Sequence, residues 1–113
     1  MRLIGYLLSI VLILSGCATF TNRNEAFLEG KQLIAQGQLD AGLKKLEQAA
    51  YEEPGSKEIR AVLFREREAI INKTLFEADK LLASNNLDAA EKKYRRVLEI
   101  KSSEERARDG LDA

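Results

Sequence analysis

Two different hydrophobic patterns divide the chain. Leu3 to Leu14 form one apolar run of twelve residues. From residue 24 onward apolar positions recur at helical spacing instead. Phe27, Gly30, Leu33 and Ile34 make a first stripe, which the polar Gln36-Gly37-Gln38 interrupts. Leu39, Leu43, Leu46, Ala49 and Ala50 make a second. Ile59, Val62, Leu63, Ala69, Ile70 and Leu75 continue the pattern, and neither proline nor glycine falls between Ser56 and Leu82. One long helix over roughly 57–84 is therefore predicted, rather than two broken at Asn72-Lys73. The polar tail from Ser103 to Ala113 starts another helix, with Leu111 its only large apolar side chain. The expected fold is all-α.

The stripes repeat. Laying Glu29–Lys45 over Glu77–Lys93, an offset of 48, matches eight of seventeen positions identically: 29/77, 33/81, 35/83, 39/87, 40/88, 41/89, 44/92 and 45/93. Each copy reads as helix, tight turn, helix. Gly37 suits the left-handed residue that ends a helix, and Asn85 takes its place in the second copy. Asp40 and Asp88 stand at the head of the second helices, where the dipole favours a carboxylate. Lys44 and Lys92, four residues later, are expected to pair with them. Asn22, three residues before Glu25, is expected to cap the first helix.

Small residues fall where antiparallel helices would cross. Gly30 and Gly42 in the first copy, Ala78 and Ala90 in the second, would let backbones approach closely. At these positions the chain resembles the tetratricopeptide repeat. The residues that carry the resemblance are Gly30, Leu33, Gly42, Leu46, Ala49 and Pro54, then Ala78, Leu81, Ala90, Tyr94 and Val97. The resemblance implies two antiparallel helical hairpins joined by the long helix, a fragment of an α-solenoid. Ala26 replaces the family's early tryptophan, Ser102 its second proline, and the period is 48 rather than the family's usual 34 or so.

The amino-terminal run is too short to cross a bilayer comfortably, which takes about 20 apolar residues. It has the length of a signal-peptide core, about 7–15 residues, and follows Arg2. Leu14-Ser15-Gly16-Cys17 comes next and is similar to the lipobox of bacterial lipoproteins. That likeness implies a signal peptide over 1–16, cleavage before Cys17, and a diacylglycerol with an N-acyl chain on its sulfur and new amino group. Several chains together anchor stably where one does not. Residues 17–23 read as the acylated cysteine and a tether, and 24–113 as the repeat domain. Ala18 follows the cysteine where aspartate would retain the protein in the inner membrane. In a Gram-negative host this implies the outer membrane, facing the periplasm.

Composition removes most other chemistry. Eighteen basic and 18 acidic residues balance, and histidine is absent. No Ser-His-Asp, Cys-His or histidine-ligated metal site is available. Glu52-Glu53, Glu66, Glu68 and Glu104-Glu105 lie next to Lys or Arg and read as solvated faces. Tyr51 and Tyr94 read as packing groups. Lys92-Lys93-Tyr94-Arg95-Arg96 resembles a nucleic-acid patch only in one dimension. Successive helical residues point about 100° apart, which spreads these charges around the helix. No enzyme, cofactor, metal or nucleic-acid partner is expected.

The resemblance to lipoproteins with tetratricopeptide repeats implies a membrane-anchored scaffold that binds envelope proteins during assembly of a machine such as a secretion or pilus system. An alternative is the head, or a truncated relative, of a lipobox-bearing secretin-like channel. A third is a peptidoglycan or envelope-integrity accessory. Repeat arrays generally need about three units to complete a core. Two copies therefore imply self-pairing, a partner in the groove, or a longer chain.

Overall fold

The computed structural model describes residues 24–113, which form five α-helices and no strand. They are α1 (Glu25–Ala35), α2 (Leu39–Glu52), α3 (Lys57–Ala83), α4 (Leu87–Ile100) and α5 (Glu105–Asp112). Helices pack in antiparallel pairs, α1 with α2 and α3 with α4; α3 also packs on α2, and α5 on α4 and α3. The signal peptide, the Leu14–Cys17 motif and the tether lie outside the described residues. So does Asn22, and the observed cap of α1 is Asn24. Its Oδ1 accepts from the Phe27 amide at 2.9 Å, while its Nδ2 donates to Glu52 at 3.1 Å and Glu53 at 2.9 Å. One side chain thus caps α1 and ties its start to the end of α2.

The two hairpins close with the same turn. After α1, Gly37 takes φ +81°. Its amide donates to Ile34 O at 3.0 Å and that of Gln38 donates to Leu33 O at 2.9 Å. After the second half of α3, Asn85 takes φ +60° and the same two bonds run from Asn85 to Leu82 and from Asn86 to Leu81. Both are Schellman turns, in which a left-handed residue lets the last carbonyls find donors. The exits from α2 and α4 also match. Ser56 N donates to Glu53 O, and Glu104 N to Lys101 O, both at 3.1 Å. Pro54 is exposed in the first exit, and the second forms without a proline.

The repeat is therefore longer than the sequence comparison revealed. Lys57 opens α3 and Glu105 opens α5 at the same 48-residue offset, so each unit has three helices. Unit 1 is α1, α2 and the first half of α3; unit 2 is the second half of α3, α4 and α5. Two separate cores follow from this. One holds Ala26, Phe27, Leu46, Ala49 and Ile59; the other holds Ile71, Leu75, Ala78, Ala90, Tyr94, Val97 and Ala107. The tail forms the helix expected of it and packs through Ala107, which is fully buried.

Residues of the two cores trade volume at equivalent places. Leu46 and Tyr94 both fill the centre, and both are buried. Beside Leu46 stand Ile59 and Val62; beside the larger Tyr94 stand Ala107 and Gly110. A Cβ on Gly110 would overlap the Tyr94 ring. On the hairpin side, a Cβ on Gly30 would lie 3.0 Å from Leu46 N, and one on Gly42 2.9 Å from Ile34 N. Unit 2 carries Ala78 and Ala90 there, both buried. Leu33 and Leu81 are half-buried at the hairpin edges, and Ala69, expected on the apolar stripe, is exposed. Tyr51, expected to pack, is 88% exposed, because it projects from the side of α2 away from α1.

Tyr94 also carries the one polar link through the second core. Its hydroxyl donates to Asp79 at 2.6 Å, and Arg106 of α5 pairs with the other oxygen of Asp79 at 2.9 Å. Desolvation first, then the hydrogen bond and charge of Asp79, push the Tyr94 phenol up to about 12.

Two predictions follow from this packing. A helical Gly→Ala change gains about 0.5–1 kcal/mol of backbone entropy, whereas overpacking costs about 1–3 kcal/mol. At Gly42 the obstacle is Ile34, side chain and backbone together, and at Gly110 a buried, hydrogen-bonded ring, so the clash wins at both. Gly42→Ala and Gly110→Ala should each destabilise by about 1 kcal/mol or more in urea unfolding. Gly55→Ala, with nothing within 4 Å, should be near neutral. The second concerns pH. With its folded value raised, Tyr94 adds stability that is intact below pH 10 and is lost as pH climbs to about 12. Tyr94→Phe should cost about 1 kcal/mol at neutral pH and flatten the alkaline loss. An unchanged alkaline slope would contradict this.

Candidate functional site

α3 is the floor on which both units stand. Its buried face turns partway along. Ile59, Val62 and Leu63 face unit 1, whereas Ile71, Leu75 and Ala78 face unit 2. Moving from Ile70 to Ile71 rotates the apolar stripe by about 100°. The Thr74 hydroxyl donates to Ile70 O at 2.8 Å at that switch, a back-bond that fits within a helix without ending it. α2 and α4 therefore lean on α3 from different sides and leave a notch between them.

The notch has two openings. One, of about 490 Å³, is lined by Asp40, Leu43, Lys44 and Glu47 of α2 and by Arg96 and Ile100 of α4. The other, of about 350 Å³, lies by the α1–α2 turn and is lined by Leu39, Ile70, Lys73, Thr74 and Lys93. Asp40 and Arg96 border both. Their ion pair spans the notch, and Arg96 also holds Glu99 at 2.7 Å. Asp40, then Glu99, hold the Arg96 guanidinium above its ordinary range. Farther along, Arg67 pairs with Glu47 at 3.3 Å, and Lys101 bridges Glu68 at 3.4 Å and Glu104 at 3.3 Å. Each of these pairs is partly solvated, so they set alignment more than stability.

Several residues read from sequence sit elsewhere than expected. Asp40 reaches across the notch to Arg96 rather than to Lys44, and neither Lys44 nor Lys92 forms an ion pair among the described residues. The basic cluster does spread around α4. Lys93 turns to Glu77, Arg95 to Glu91 and Arg96 to Asp40, while Tyr94 enters the core. Sequence reading missed Arg96 as the crossing residue, since its partner lies 56 positions away. It also missed that two identities of the repeat, Glu29/Glu77 and Lys45/Lys93, are one interaction. Lys45 meets Glu29 at 2.8 Å and Lys93 meets Glu77 at 2.7 Å, clamping each hairpin at the same place.

Among the described residues, no group of three His, Cys, Asp or Glu could hold a metal ion. No helix among them is long and apolar enough to cross a membrane. Comparison with protein-family models, with curated proteins and with solved structures finds no match for this chain.

Proposed function

We propose that the chain is a lipid-anchored, non-enzymatic binding module that holds another envelope protein against its helical units. The observation that carries this reading is the notch between α2 and α4. It is open, polar-walled with an apolar floor at Leu43 and Ile70, and spanned by a solvent-exposed ion pair. Such a surface can exchange Asp40 for a partner group at Arg96 with little loss of fold stability. The antiparallel hairpins with small residues at their crossings support a tetratricopeptide-like reading, extended here by a third helix in each unit. The short apolar run ending in Leu14-Ser15-Gly16-Cys17 supports a diacylglyceryl anchor on Cys17, and Ala18 supports the periplasmic face of an outer membrane. On this reading the scaffold serves assembly of an envelope machine such as a secretion or pilus system.

Replacing Cys17 by serine should release the protein from the membrane fraction and abolish palmitate labelling. A photo-crosslinker at Ala41, in the notch, should give a discrete adduct with an envelope protein, whereas one at Asp109 on α5 should not. Retention of Cys17→Ser in washed membranes would remove the anchor from the account. Equal adducts from both crosslinker sites would remove the notch.

A further inference from the structure

The clamp shared by both units stands in opposite electrostatic surroundings in each. In unit 1, Lys45 stands among carboxylates. Glu29 binds it, Glu25 lies one turn earlier on α1, and Glu52 ends α2 where the Asn24 side chain holds it. In unit 2, Glu77 stands among ammonium groups, with Asp40, paired to Arg96, on the far wall of the same opening. Lys93 binds it, with Lys73 one turn earlier and Lys80 one turn later on α3. Glu25 corresponds to Lys73 at the 48-residue offset, and Gln32 to Lys80. The reversal is therefore at matched sites on matched folds. Glu29, with Glu25 and Glu52 behind it, raises the Lys45 pKa; Lys93, with Lys73 and Lys80 behind it, lowers that of Glu77.

We propose that a second copy of this chain docks here, the acidic α1–α2 edge of one molecule meeting the basic α3–α4 face of the other. Charge complementarity selects that occupant. The whole chain is neutral, 18 against 18, so the two patches are a separation of charge within one molecule rather than a net field. An anionic membrane would attract the basic face but repel the acidic edge a unit away; a second copy satisfies both. The basic face also offers shape, a groove of about 290 Å³ in which Leu81 lies between Lys80, Glu77 and Lys93. Leu28, half exposed on α1 next to Glu25 and Glu29, is an apolar group of the right size to enter it. Like-charged faces in any other register would repel, which fixes the pairing as unit 1 on unit 2.

The experiment is sedimentation velocity on the full chain in non-ionic detergent, at low salt and at about 1 M, where the Debye length falls to about 3 Å. Association at low salt that is lost at high salt is expected. Glu25→Lys and Lys73→Glu should each weaken association by about tenfold, which is the scale of one or two charged contacts. The double variant exchanges the two residues between units and should restore association, because opposite charges again face each other at these two positions. Circular dichroism on each variant, showing unchanged helix content, separates this from misfolding. A monomer at every low-salt concentration overturns the proposal. So does association indifferent to salt and to both single changes, or a double variant no better than either single. Binding to anionic vesicles by the wild type with no self-association would assign the basic face to the membrane and also overturn it.

Discussion

An unbroken helix that belongs to two cores is the constraint on which this molecule rests. α3 begins as the closing helix of unit 1 and ends as the opening helix of unit 2, with no loop between the roles. Neither half could be lifted out without exposing one side of a core: Ile59 is sealed by α1 and α2, Leu75 and Ala78 by α4. Because the apolar stripe rotates partway along, the units cannot sit in one plane, and the notch between α2 and α4 follows from that rotation. The proposed binding surface is thus a geometric consequence of how the two units share α3.

Within each unit, the distance of approach between helices is set by a few small residues, and the remaining side chains adjust to it. Unit 1 places glycine at both crossings and fills its centre with Leu46. Unit 2 places alanine there, fills its centre with Tyr94, and gives back the volume at Ala107 and Gly110. A larger side chain at one position is offset by smaller ones beside it, which is how packed interiors tolerate divergence. The polar contacts are arranged around this framework. The Glu29–Lys45 and Glu77–Lys93 clamps sit at the hairpin edges, and the Asp79 network fastens α5 over Tyr94. None is buried deeply enough to dominate stability, so their role is in register and in recognition.

This explains which parts were legible in the sequence. The all-α class, the hairpins and the continuous α3 could be read because periodicity and helix-ending residues are local signals. Gly37 and Asn85 announced matching turns although only the backbone demand is shared. The third helix of the unit escaped notice for a physical reason. Its core positions, Ile59 against Ala107 and Val62 against Gly110, differ because each compensates a change elsewhere. Compensated positions lose identity while keeping their place. The Asp40–Arg96 bridge escaped for another reason. Helical spacing offered Lys44 as a local partner, and only the approach of α4 brings a planar guanidinium across the notch.

The central claim is that α3 couples the two cores into one structure, and hydrogen exchange along α3 tests it most directly. Amides from Glu66 to Thr74 span the junction between the two cores. If the cores are coupled, these amides open only with the rest of α3, and chemical unfolding shows one transition. Rapid exchange confined to Asn72 and Lys73, with separate unfolding of the two units, would show two independent hairpins joined by a linker and would contradict the account.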